Sequence, residues 1–377
     1  MKILLTGASG FIGSNVLRNF VAGGHTVYAQ YRRRPGNTVA DQVHWQQADL
    51  SAWFDANATA AATQLCASAF QTLKHREPHA MQALLANLRA LLPIPEAART
   101  LVGTSEIIVH MAALASDWGR PQVFIASNVL PVYALLEAAW FAGVRRFVFV
   151  SSIAVHGFGN HTDSTESGPY APVLNLYQLS KRLAESLALA YAQEGMDISI
   201  VRPGNVYGPG DHTTFYPLFD AMTAGNMGTI DNGSRLTCPI YIDDLVSGIS
   251  GIIARPAGSN RQMDDVSAYA YNFTGPDRIT WRELCDHATR ELGCKPVSLN
   301  APSWLLYPLS ALMEVVWALG RSKTPPPLTR YRVGQLAGNY HFNTRRAQTE
   351  IGWQAAVGFA EGIKHTVNAY RKDRHGR

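Results

Sequence analysis

Tyr177 and Lys181 stand four residues apart in "LYQLSKRLAE", residues 176 to 185, a spacing that puts two side chains on one face of a helix. A phenol titrates near about 10 and is a poor acid or base at neutral pH, whereas an ammonium beside it favours the phenolate. Such a pair could shuttle a proton to or from a hydroxyl or carbonyl oxygen. By itself it is equally a solvated helix face, since both residue types are common on surfaces. A redox partner and a third polar group would make it a site.

The redox partner is suggested at the other end of the chain. "TGASGFIGSNV" follows the apolar run "KILLTG" and carries Gly7, Gly10 and Gly13. Glycines at a strand-to-helix turn let backbone N–H groups approach a pyrophosphate and let helix pack closely on strand. The spacing is GxxGxxG, a variant of the dinucleotide fingerprint, and the expected contacts are Gly7, Gly10, Phe11, Ile12 and Gly13. At the end of the second strand "YAQYRRRPG" offers no carboxylate for a ribose 2′-hydroxyl, but does offer Arg32 and Arg33 for a 2′-phosphate. That reads as NADP, with NAD and a merely solvated basic turn as alternatives. Asp49 and Leu50 in "QADL" are placed near the adenine, with Asp49 as a simple helix cap the competing reading.

These groups need a scaffold, and the first 200 residues supply its pattern. "KILLTG", "TVYAQY", "EIIVHMAA", "RRFVFVSS" and "DISIVRPG" are short apolar strands alternating with helices near Gly10, Asn128 and Tyr177. The fold class expected is α/β: a Rossmann-type doubly wound parallel sheet with a smaller C-terminal α+β substrate domain. Residues 1–200 form the cofactor domain, interrupted by a helical insertion at about 51–95 that serves packing, oligomerisation or cover over the site. Residues 201–377 form mainly the substrate domain, with segments near 237–275 returning to the main sheet.

Composition excludes several classes. The 377 residues are 47% hydrophobic with a net charge of +5, enough for a substantial core and too weakly patterned for a nucleic-acid surface. Cys66, Cys238, Cys285 and Cys294 show no CxxC or metal-ligand spacing. His110 and His156 have no second ligand at a useful spacing and read as core histidines; no metal is expected. The N-terminus lacks a secretory pattern, which points to the cytoplasm. The apolar stretch 304–320 is interrupted by Pro308 and Glu314 and is short for a bilayer span. It reads as a packed or ligand-lining helix, with peripheral membrane contact left open.

Taken together, "TGASGFIG", "VHMAA" (109–113), "VSSIAVHG" (150–157), "YQLSK" (177–181) and "RPGNVYGPG" (202–210) resemble, in order, the motifs of the extended short-chain dehydrogenase/reductases, the NAD(P)-dependent epimerase/dehydratase superfamily. The resemblance covers nearly the whole chain. It implies that Ser152 orients the reacting oxygen and contacts substrate, that Tyr177 is the acid/base, and that Lys181 tunes Tyr177 and holds the nicotinamide ribose. It further implies cofactor contacts at Ala112, Ala113, Pro203 and Val206, a substrate contact at Asn205, and a homodimer that uses the Tyr177 helix. Asn128 resembles the asparagine opening the family's central helix and reads here as a helix cap.

Departures narrow the chemistry. The family's dehydratases carry an acid directly after the catalytic hydroxyl residue, where this chain has Ile153. Its nucleotide-sugar epimerases place an arginine before the "YIDD" segment; the slot here is Thr237, with Arg235 two residues earlier. The tail from 301 to 353 is similar to the 3β-hydroxysteroid dehydrogenase-like branch. The expected function is therefore NADP-dependent interconversion of a largely apolar secondary alcohol and its ketone. The alternatives are an NDP-sugar epimerase and a non-catalytic NADP-binding protein.

Overall fold

The computed structural model describes residues 1–34, 40–73, 78–173, 175–256, 265–322 and 324–375. Residues 74–77 of the expected insertion, and Pro35 and Gly36 after the three arginines, lie outside the described residues. The chain opens with β1 (Lys2–Thr6), α1 (Phe11–Ala22), β2 (Thr26–Tyr31) and β3 (Val43–Gln47), followed by α2 (Ala56–Leu73), α3 (Pro78–Leu91) and α4 (Glu96–Val102). Next come β4 (Ile107–His110) and one long helix built from α5 (Pro121–Phe124), a π-helical turn (Ile125–Val129) and α6 (Leu130–Phe141). β5 (Arg146–Val150), β6 (Asn160–Ser164), α7 (Leu176–Gln193) and β7 (Ile198–Pro203) follow. The remainder runs β8 (Asn205–Tyr207), α8 (Phe215–Thr223), β9 (Gly228–Ile230), β10 (Leu236–Thr237), β11 (Pro239–Tyr241), α9 (Ile242–Ala254), β12 (Ala270–Phe273), β13 (Ile279–Thr280) and α10 (Trp281–Leu292). It ends with β14 (Leu299–Ala301), α11 (Ser303–Leu319), α12 (Arg330–Ala337), β15 (Asn339–Phe342), α13 (Arg345–Ile351) and α14 (Phe359–His375).

Seven strands form the main sheet in the order β12-β7-β5-β4-β1-β2-β3, and the pairings from β3 through β7 are parallel. Every residue of β4 and β5 is buried, as strands covered by helices on both faces require. This is the doubly wound Rossmann-type sheet expected, with β12 as an edge strand. Two compact units emerge: residues 1–155, 176–202 and 249–271 form the first, and 156–175, 203–248 and 272–377 the second.

Within the first unit the insertion is a helical pair packed on the cofactor-domain helices. Gln82 on α3 donates to the Ala190 carbonyl at 3.2 Å and to Gln193 at 3.0 Å. Arg89, also on α3, pairs with Glu137 of α6 at 2.6 Å and with Glu194 at 2.7 Å, and Tyr191 donates to the same Glu137. With α3 alongside, twelve of the 18 residues of α7 are buried. The dimer that the resemblance implied through α7 would have to displace α3 wherever the two faces coincide. The run Pro121–Phe141 is long and apolar enough to cross a membrane by length and composition, but 78% of its apolar window is buried, as in a core helix.

In the second unit the apolar stretch 304–320 forms most of α11, which packs against α12 but is not packed on all sides: its buried residue is Ser310, while Trp304 is 75% and Leu319 80% exposed. An apolar residue count cannot say how many faces of a helix find a neighbour.

Candidate active site

β1 lies between β4 and β2, so the connections leaving β1 and β4 diverge, and the crevice at their C-terminal ends is where open α/β sheets bind ligands. The Thr6 hydroxyl accepts from the amides of Met111 at 3.1 Å and Ala112 at 3.2 Å. With both lone pairs used, it donates its own proton to His110 Nδ1 at 2.8 Å, leaving the imidazole proton on Nε2. Burial, and then the Lys181 charge, press the His110 pKa down to about 3, so His110 is a neutral core residue. Among the described residues no group of three or more His, Cys, Asp or Glu could hold a metal.

Two glycines are obligatory here. Gly7 has φ +70, and a Cβ on it would lie 3.1 Å from both the amide nitrogen and the Cα of Ala112; a Cβ on Gly13 would run into the Gly7 carbonyl. Strand exit and helix start are thereby held at backbone contact. Gly10 caps α1 without a side-chain bond, and the first turn contains no acid. The first-turn amides, which no helical carbonyl can reach, are open to an anion. The cradle therefore fits a pyrophosphate. Ala112 lies against Gly7, and Ala113 follows it beyond β4.

A residue the sequence reading missed fixes this loop. Buried Gln30 accepts from the Gly7 amide at 2.8 Å and donates to the Ala48 carbonyl at 2.6 Å, while its backbone carbonyl accepts from Ala8 at 3.0 Å. A glutamine inside a strand gives no sequence signal of this kind; only the register of β1, β2 and β3 does. Arg32 and Arg33 are exposed beyond β2. Asp49 caps a short 3-10 turn by accepting from the amide and hydroxyl of Ser51 at 3.1 and 2.7 Å, and Leu50 is buried in the core.

Ser152, Tyr177 and Lys181 come together in the first unit. Ser152 sits two residues past β5, where its hydroxyl accepts from the Ala154 amide at 3.1 Å and hydrogen-bonds to the Tyr177 phenol. Lys181 is buried, donates to the Val150 carbonyl at 2.9 Å and lies 4.8 Å above the Phe149 ring. Burial lowers its pKa to about 8, opposed by the Glu185 carboxylate, which is itself gripped by buried Arg202 at 2.7 and 2.9 Å. The phenol departs from expectation: burial raises the Tyr177 pKa, and the Ser152 hydrogen bond opposes that rise. Desolvation outweighs charge in the chain alone, and the ammonium four residues on is directed to a carbonyl.

Asn128 also departs from its reading as a cap. It is buried inside the π-helical turn, accepting from the Leu114 amide at 2.7 Å and donating to the Leu114 carbonyl at 3.1 Å and to Ser180 at 2.9 Å. Ser180 in turn donates to the Tyr177 carbonyl at 2.9 Å. From within the π-helical turn, Asn128 thus ties the segment after β4 to Ser180 near the start of α7.

The remaining candidates lie in the second unit. Pro203 ends β7, and Asn205 and Val206 lie on β8, paired in parallel with Pro239 and Ile240 of β11. The Asn205 amide donates to Thr237 at 3.3 Å and accepts from Gln335 at 3.0 Å. Thr237 is buried, and Arg235, just before β10, is exposed. The antiparallel pairing of β10 with β13, Thr237 opposite Ile279, holds that register, so Arg235 does not occupy the slot.

A doubly wound sheet, a glycine cradle at its switch point and a Ser–Tyr–Lys cluster beside it define an NAD(P)-dependent enzyme of the extended short-chain dehydrogenase/reductase type acting on a small molecule. The chain belongs to the NAD dependent epimerase/dehydratase family, whose model matches residues 3–264. It is 28% identical over 273 residues to the 3beta-hydroxysteroid-dehydrogenase/decarboxylase isoform 1 of Arabidopsis thaliana, covering 71% of this chain and 62% of that protein. The chain thus matches less than two thirds of that plant relative's length. It is 23% identical to the 2-alkyl-3-oxoalkanoate reductase of Stenotrophomonas maltophilia (strain K279a), covering 97% and 98% of the two chains. Among solved structures, the UDP-glucuronic acid 4-epimerase of Bacillus cereus in complex with NAD shares the fold, with a TM-score of 0.68 and 16% identity over 99% of each chain.

NADP, read from Arg32 and Arg33, is corrected by these comparisons. The Bacillus cereus structure holds NAD, as do further solved structures of this fold. The physical reason is that Arg32 and Arg33 are exposed past the strand end, and an exposed basic turn does not by itself select a 2′-phosphate.

Proposed function

We propose that this protein is an NAD-dependent oxidoreductase that interconverts a largely apolar secondary alcohol and its ketone. The observation that carries the chemistry is the hydrogen bond between Ser152 and Tyr177 beside buried Lys181. In this reading Gly7, Gly10, Phe11, Ile12 and Gly13 hold the pyrophosphate, Ala112 and Ala113 flank it, and Lys181 binds the nicotinamide ribose. Bound NAD supplies the acceptor or donor of hydride. Tyr177 passes the hydroxyl proton, and Ser152 donates to the oxygen on which charge develops. The first unit binds cofactor and the second binds substrate.

The substrate class rests on Thr237, where a diphosphate-binding cation would be expected, and on the 2-alkyl-3-oxoalkanoate reductase similar over nearly the whole chain. Placement in the 3β-hydroxysteroid dehydrogenase-like branch is supported by the similarity to the plant 3beta-hydroxysteroid-dehydrogenase/decarboxylase. A second reading, NDP-sugar epimerisation by the same three residues, is favoured by the solved structures of this fold, several of which hold UDP sugars with NAD. The deciding experiment mixes purified protein and NADH with apolar ketones, and NAD with UDP sugars. Ketone-dependent loss of NADH absorbance supports the alcohol reading. Sugar interconversion without net change in cofactor establishes the second reading instead.

A further inference from the structure

α11 exposes more large apolar side chain than any other described element. Trp304, Leu305, Leu309, Leu312, Val316 and Leu319 are between 44% and 80% exposed. At 100° per residue these six fall within an arc of about 140°, with buried Ser310 on the opposite side. A continuous apolar face of this extent on a folded chain marks an interaction surface.

The charges around it select the occupant. The one acid of α11, Glu314, is neutralised: it accepts from the Arg330 guanidinium at 2.6 Å and from the Arg330 amide at 2.7 Å, while α12, which begins at Arg330, packs against α11. Exposed Arg321 follows just after α11 and Arg332 lies on α12 beside Arg330, while at the other end Asp231 is occupied in accepting from the Ser303 amide at 2.9 Å. A two-fold dimer would bring this patch against itself and set like charges together. An anionic lipid surface would match both parts, taking the apolar arc into the acyl boundary and the cations at the headgroups. The helix is about 25 Å long, short of the roughly 30 Å hydrocarbon core. Trp304, on the arc at one end of the helix and 75% exposed, suits the interface plane.

We propose that α11 docks on anionic bilayers, lying in the headgroup plane. This surface is argued independently of the catalytic reading. The test is co-sedimentation of the full chain with vesicles of phosphatidylcholine alone or mixed with phosphatidylglycerol. Binding to the mixed vesicles, weakened by salt and reduced about tenfold or more by Leu312→Glu with Leu319→Glu, is expected. Arg321→Glu should lower it less, and thermal unfolding should show both variants folded. Absence of wild-type binding to the mixed vesicles overturns the proposal. So does a concentration-dependent dimer that the double variant abolishes, which would assign the face to a second copy.

Discussion

Lys181 donates to the carbonyl of Val150 at 2.9 Å, so the residue four places after Tyr177 is anchored to the strand that ends two residues before Ser152. This one bond sets helix α7 against the exit of β5. It places the phenol beside the serine hydroxyl, and it keeps a cation buried under both.

Tyr177→Phe removes the proton carrier but little volume. Turnover should fall by about 10²–10⁴-fold, while NAD affinity, measured by calorimetry, stays within a few-fold. A variant turning over at the wild-type rate would remove Tyr177 from the chemistry whatever the substrate.

Burial of Lys181 leaves a signature in stability against pH. Its folded pKa of about 8 lies below the ordinary lysine value of 10.5, so between those values the unfolded chain binds more protons and stability rises with pH. The full difference corresponds to about 3 kcal/mol. The raised Tyr177 pKa acts in the other direction above its ordinary value, where the unfolded phenol loses its proton first. Urea midpoints should therefore climb from pH 8 toward 10, and this climb should be flattened in Lys181→Met. An unchanged slope in that variant would show that the titrating group lies elsewhere.

Gln30→Ala removes the side chain that spans Gly7 and Ala48. The Gly7 amide then loses its partner, at a cost of about 1–3 kcal/mol. The expected result is a drop in NAD affinity of about tenfold with kcat at saturating cofactor nearly preserved. A loss confined to kcat would contradict a role in holding the glycine loop.

Arg89→Ala leaves Glu137 buried beside Tyr191 without its cation. Destabilisation by about 2 kcal/mol should follow. With α3 alongside α7, the wild-type chain should elute as a monomer in light-scattering chromatography. A stable wild-type dimer would show that α3 leaves the dimer face free.

What the sequence by itself determined was local: the glycine spacing, the four-residue step from Tyr177 to Lys181, and the apolar strands whose alternation with helices admits few topologies. Each of these depends on backbone geometry within one or two elements, which residue order fixes. Where side chains met across elements, the tertiary structure decided. Gln30 became a brace and Asn128 a clamp inside a π-helical turn, because sheet register and helix phase set their neighbours. The same holds for charge and exposure. Tyr177 is raised by desolvation that no spacing reveals, and the apolar face of α11 is uncovered because packing against α12 leaves it so; burial is a property of the assembled fold.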